Sequence, residues 1–280
     1  MPFTNYHTHC RFCDGVGEPR EYAEEALRLG MPSLGFSSHA PLPHQPKGMM
    51  KLERLPEYAD AVNTLKAEYV GRVELYLGLE MDFIPGVTGP RRPWFEPPQL
   101  DYRIGSVHYV GEFLDGTLFE VDCKSEKYRR GLAEAFGGDV RKLVAEYYRR
   151  VRRMVSDSPP DILAHLDLVK LDNVGDVYFS ESEEWYRREV AATIDAVAES
   201  EVIVEVNRRS ITRERLSVPY PSPWILEKLF AHRIPITISA DAHQPEELEM
   251  GFADTVRLLS DVGFEEVMVL NNGEWKAVRM

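Results

Sequence analysis

Near its start the chain reads Asn5-Tyr6-His7-Thr8-His9. In extended backbone, residues i and i+2 point to the same face, so His7 and His9 can offer two imidazoles to one ion. Alone, the pair reads equally well as two surface groups. The remaining sequence repeats the pattern at the ends of apolar runs. His39 closes Ser37-Ser38-His39, and Glu80 lies in Gly78-Leu-Glu-Met-Asp-Phe83. His108 ends Ile104-Gly-Ser-Val-His108, and His165 lies in Leu163-Ala-His-Leu-Asp167. Asp241 and His243 lie in Ser239-Ala-Asp-Ala-His243. Six of the 8 histidines therefore fall at expected strand ends, which is hard to attribute to chance.

Imidazole and carboxylate donors without thiolates suit zinc, iron or manganese. They outnumber what one tetrahedral ion needs, so two or three ions are expected, with Glu80 as a shared carboxylate. Ions about 3.5–4 Å apart can hold a hydroxide between them and clamp the oxygens of a displacement, as in phosphate-ester hydrolysis. Glu80, Asp241 and His243 take the catalytic assignment.

Asp14, in Phe12-Cys-Asp-Gly15, reads as a further ligand or as an ordinary turn carboxylate. His44 sits in a proline-rich loop, where it is either solvated or a substrate contact. His232 reads as a helix-end residue. Asp82 and Asp167 are candidates to orient imidazoles. Lys170, Arg208 and Arg209 follow expected strands, and any of them could donate to a phosphate, Arg208 being preferred of the arginines. Ser106 is added as a substrate contact. Trp94, Phe95 and Met49, in loops 83–100 and 40–55, could cover a substrate, or Trp94 and Phe95 only anchor their loop.

These residues need elements to aim them. Strands are expected at Phe3 to His9, Ser33 to His39, Val73 to Glu80, Asp101 to Tyr109, Asp161 to Leu168, Val202 to Val206 and Ile236 to Ala240. They alternate little, as parallel strands buried on both faces do. Helices are expected from Pro19 to near Gly30, over Pro56 to Tyr69, and along Val144, Tyr147, Tyr148, Val151 and Val155. Further helices follow Ser180-Glu-Ser-Glu183, which resembles a capping box, and begin at Ser222-Pro223 and Pro245. The tail, Glu266 to Met280, reads as a strand or hairpin. Seven strand–helix units over 280 residues point to an α/β barrel in one domain, with chemistry at the C-terminal strand ends.

Composition excludes several classes. Net charge −13 disfavours sequence-independent nucleic-acid binding. No apolar run approaches the ~20 residues of a membrane span, and Met1-Pro2-Phe3 does not read as a signal peptide. Cys10, Cys13 and Cys123 are too few for a disulfide framework and fit a reducing cytoplasm. Cys10 and Cys13 form a Cys-x-x-Cys without a second cysteine pair to complete a zinc site.

At these motifs the sequence resembles the PHP (polymerase and histidinol phosphatase) family over nearly the whole chain, residues 1–280 being one such unit. The histidinol-phosphatase branch is the nearer likeness, through Gly78-Leu-Glu-Met-Asp-Phe-Ile-Pro85, Ile104-Gly-Ser-Val-His108 and His165-Leu-Asp-Leu-Val-Lys170. The resemblance implies a distorted (β/α)7 barrel, three divalent metal ions and hydrolysis of L-histidinol phosphate in histidine biosynthesis. It implies one metal on His7, His9, Glu80 and Asp241, and a second on Glu80, His108 and His165. It implies a third on His39, His243 and Asp14, and a phosphate contact for Lys170. Ser37-Ser38-His39 and Asn207-Arg208-Arg209-Ser210 depart from the branch, the latter near the expected substrate pocket. Val110 to Cys123 has no place in the pattern. The alternatives are a PHP-type phosphoesterase for another small ester or a nucleotide, and a PHP-like binding module without catalysis. No membrane partner and no oligomeric state are assigned.

Overall fold

The structure is a computed structural model and describes residues 3–44, 46–212 and 216–280. Met1 and Pro2 of the expected start, and Gln45 of the loop 40–55, lie outside them. The elements in order are α1 (Pro19–Arg28), β1 (Ser33–Phe36), α2 (Leu55–Glu68), β2 (Glu74–Asp82) and β3 (Tyr102–Ser106). Next come β4 (Tyr109–Glu112), β5 (Leu118–Glu120), α3 (Ser125–Phe136), α4 (Val140–Asp157), β6 (Ile162–Leu163) and α5 (Glu184–Ala198). The last are β7 (Ile203–Asn207), α6 (Arg209–Thr212), α7 (Pro223–Ala231), β8 (Ile236–Ser239), α8 (Phe252–Val262), β9 (Glu266–Asn271) and β10 (Glu274–Arg279).

Six parallel strands form one sheet in the order β1-β2-β3-β6-β7-β8. The sheet is curled. From β3, the Tyr102 hydroxyl donates to Tyr6 O at 2.5 Å and to Phe36 O at 3.1 Å, across the sheet's interior. Glycine makes room for that ring, since a Cβ at Gly78 would stand 2.5 Å from Tyr102 Cζ.

The expected first strand, Phe3 to His9, is not a regular strand. It pairs through isolated parallel bridges, Asn5 with Leu34 on one side and Thr8 with Ala242 on the other, and so links the sheet's two edges. Side chains take over part of the ladder here. Asn5 Oδ1 accepts from His7 N at 3.1 Å and Ala240 N at 3.3 Å, and Ser37 Oγ accepts from Thr8 N at 2.9 Å.

Other boundaries also shift. The Asp161 to Leu168 run keeps only Ile162–Leu163 as strand, because His165 turns out with φ 22°. The Asp101 to Tyr109 run ends at Ser106, and Tyr109 opens an antiparallel hairpin, β4–β5, over the stretch that had no place in the sequence pattern. Helix α3 was not expected. Pro245 begins only a 3-10 turn, with α8 starting at Phe252. Glu183 does reach back to Ser180 N at 3.1 Å, but this turn precedes α5. The tail forms the hairpin β9–β10. Helix α4 buries Leu143, Val144, Tyr147, Tyr148, Val151, Met154 and Val155 along one side, the 3.6-residue stripe of a helix covering a core. Among the described residues, no helix is long and apolar enough to cross a membrane.

Candidate metal centre

The nine side chains expected as ligands meet at one end of the sheet. Glu80 lies at their middle, 1% exposed. Its Oε2 is 2.7 Å from His39 Nδ1, 3.3 Å from His7 Nε2 and 3.5 Å from His9 Nε2. Its Oε1 is 3.1 Å from His165 Nε2 and 3.5 Å from His108 Nε2. One carboxylate therefore faces two sets of rings, the geometry a bridging ligand requires. Asp241 Oδ1 is 3.3 Å from His9 Nε2 and 3.7 Å from His7 Nε2. Asp14 Oδ1 is 3.3 Å from His243 Nε2 and 3.7 Å from His39 Nε2.

Three groups present ligand atoms mutually within 4.8 Å: His9, Asp14, His39 and His243; His7, His9 and Asp241; His39, Glu80 and His108. These differ in detail from the family's expected sets. His39 stands between Glu80 and Asp14, and His165 falls in none of the three groups but lies 3.1 Å from Glu80 Oε1.

The donors fit metal ions. His7 Nε2, His9 Nε2, His39 Nδ1, Glu80 Oε2 and Asp241 Oδ1 are buried without a hydrogen bond while facing one another. Buried polar atoms are normally satisfied, and cations held among them would satisfy all five. Charge agrees. Burial would raise Glu80 and Asp241, but the imidazoles around them hold both well below the usual carboxylate range. Burial opposes protonation of His7, yet Asp241, Glu205 and Glu80 outweigh it and hold its pKa well above an ordinary imidazole's. His39 is likewise raised to about 9, with Glu80 and Asp14 overcoming burial. His9 goes the other way, driven well down by burial with His243 and His39 beside it. Ionised carboxylates around crowded imidazoles make a site in which metal cations can take the place of protons.

A further layer orients the rings. His7 Nδ1 is 2.5 Å from Glu205 Oε1, which directs Nε2 inward. Glu205 also accepts from His165 N at 2.9 Å, from Asn207 Nδ2 at 2.9 Å and from Ser239 Oγ. Asn207 in turn donates to Asp241 Oδ2 at 3.1 Å. The sequence reading missed Glu205, although a carboxylate inside the apolar run Val202 to Val206 was the available signal. Asp82 holds His108 Nδ1 at 3.0 Å. Asp167 pairs with no imidazole among the described residues; it accepts from Lys170 Nζ at 2.7 Å and Ser222 N at 2.9 Å.

Backbone geometry supports the placement. His165 and Asp241 have φ 22° and 53°, in the sparsely populated left-handed region where functional residues concentrate. Gly15 lets the loop after His9 fold back and deliver Asp14, since a Cβ there would collide with the His9 and Cys10 backbone.

A cavity of ≈ 80 Å³ opens over the centre. Beyond the ligands it is walled by Asp122, Leu168, Leu171, Arg209, Ser210 and Tyr220. The expected substrate contacts divide. Arg209 lines the cavity, its Nη1 donating to Asp241 O at 3.0 Å and Glu247 Oε2 at 3.2 Å. Arg208, the preferred one, packs against Gly251 instead. Lys170 is buried with its Nζ on Asp167 and Ser222 and does not line this cavity. Ser106 is buried and His44 exposed, both outside the cavity wall. Trp94 donates from Nε1 to Pro41 O at 2.8 Å, and Met49 packs on Leu42, Ile84 and Tyr109. Both contacts are of the kind that anchor a loop.

Comparison with known proteins follows the same lines. The PHP domain matches residues 5–209. A Deinococcus radiodurans protein named "Probable histidinol-phosphatase" is 33% identical over 264 residues, covering 92% of each chain. The Bacillus subtilis histidinol-phosphatase is 26% identical over 253 residues, covering 85% of this chain and 92% of its own. The crystal structure of Lactococcus lactis histidinol phosphate phosphatase, complexed with zinc, L-histidinol and phosphate, shares the fold at TM-score 0.71 and 21% identity, with 98% of each chain covered.

Proposed function

This chain belongs to the PHP domain family, and on that premise we propose that it is a metal-dependent histidinol-phosphatase, hydrolysing L-histidinol phosphate to L-histidinol and phosphate. The observation that carries the reading is the meeting of six histidines and three carboxylates, with Glu80 facing both sets of rings. We read three ions, held on the three ligand groups, His165 joining through Glu80. Imidazole and carboxylate donors favour zinc, iron or manganese. Bound there, such ions would acidify water and stabilise charge on phosphoryl oxygens.

The protein's own groups do the rest. Glu205 and Asp82 fix the His7 and His108 rings so that Nε2 faces inward. Arg209 replaces Lys170 as the cation proposed for the phosphate, its planar fork suited to two oxygens. Leu168, Leu171 and Tyr220 offer an apolar wall to an imidazole ring. With segment 5–9 counted as the seventh strand, the sheet reads as a distorted (β/α)7 barrel, and residues 1–280 as one unit. Three free cysteines suit a reducing cytoplasm.

The test is phosphate release by metal-reconstituted protein against a panel of phosphate monoesters. L-Histidinol phosphate should be the best substrate. Preference for a nucleotide or another ester would replace the substrate, and no release from any ester would overturn the enzyme.

A further inference from the structure

The β4–β5 hairpin is the part of the fold for which neither the strand pattern nor the metal centre accounts. Its end is tied to the centre, for Val121 N donates to His108 O at 2.8 Å. The next residue, Asp122, is thereby set in the cavity wall with His108, His165, Leu168 and Leu171. Asp14, Glu80 and Asp241, the other carboxylates lining this cavity, each face imidazoles within 4.0 Å. Asp122 forms no such ion pair among the described residues, and it is exposed at the mouth. Arg209 stands beside Asp241, and Asp122 beside His108. The cavity lining thus carries a cation, an exposed anion and two leucines.

We infer that Asp122 determines specificity by taking the alkylammonium group of the substrate. This rests on the phosphatase reading above. A phosphate monoester that carries an amine two carbons from its ester oxygen is dianionic at one end and cationic close by. With the phosphate at the metal centre and Arg209, the ammonium meets Asp122. An ester without the amine leaves that carboxylate solvated and gains nothing from it.

The experiment compares kcat/KM for L-histidinol phosphate with that for its deamino analogue, 3-(imidazol-4-yl)propyl phosphate, in the metal-loaded parent and in Asp122→Asn. The ratio is read within one preparation, so the folded fraction cancels. The parent should prefer the amine at least tenfold, and Asp122→Asn should lower that ratio at least tenfold. Asp122→Glu, which keeps the charge, should retain more of the preference than Asp122→Asn. An active parent whose ratio is unchanged in Asp122→Asn overturns the inference alone. A parent inactive on both esters overturns the phosphatase reading, and this inference with it.

Discussion

Replacing Glu80 by Gln keeps the side chain's shape while removing the charge that faces five imidazoles. In the structure those rings stand between 2.7 and 3.5 Å from its two oxygens. The amide would turn a donor towards at least one set of them, where a cation should bind. Removing one partner from a buried, hydrogen-bonded charge set costs about 3–5 kcal/mol, or roughly 10²- to 10⁴-fold in an equilibrium or a rate. We expect Glu80→Gln to lose at least a hundredfold in kcat for phosphate release and to hold fewer ions per chain by elemental analysis. The metal-free protein gives an independent readout. There Glu80 is the main group holding His39 up to about 9 against burial, so the His39 pKa followed by NMR should fall in the variant. Activity within tenfold of the parent at full metal occupancy would refute the bridging role, and an unmoved His39 would refute the electrostatic account.

The raised His39 holds its proton at pH 7, whereas a metal needs the neutral ring, so zinc added to metal-free protein in weak buffer should expel protons. The His39 share of that release should fade as pH rises through about 9, and a pH-independent release would contradict the assignment. Lys170→Met strands the buried Asp167 and should cost about 3–5 kcal/mol of stability, seen as a Tm fall of roughly 6–20 °C, while Arg209→Met should lower kcat/KM at least tenfold. The reverse pattern, with Lys170→Met lowering kcat/KM and leaving Tm alone, would restore Lys170 to the phosphate. Trp94→Ala removes the bond to Pro41 and should lower Tm with KM unchanged; a raised KM at constant Tm would return Trp94 to the substrate.

The candidate metal centre was legible in the chain because its candidate ligands obey a local rule. Parallel strands all point their C-terminal ends one way, so residue types that recur at strand ends must meet. His7, His9, His39, Glu80, His108, His165, Asp241 and His243 could be read for that reason, as could the helices that bury periodic apolar faces, such as α4. Side-chain direction just beyond a strand follows no such period. Asp82 and Asp167 each follow a ligand by two residues, yet one holds His108 and the other Lys170. Arg208 and Arg209 are adjacent, and only the packing of Arg208 on Gly251 leaves Arg209 to the cavity. Glu205 reads as part of an apolar strand until His7 Nδ1 is found 2.5 Å away, 198 residues distant in sequence. Composition and period determined which residues could bind metal. The curl of the sheet, the bridge-paired segment at residues 5–9 and the β4–β5 hairpin decided which carboxylates orient the rings and which remain for the substrate, because those contacts depend on long-range distances that no local pattern encodes.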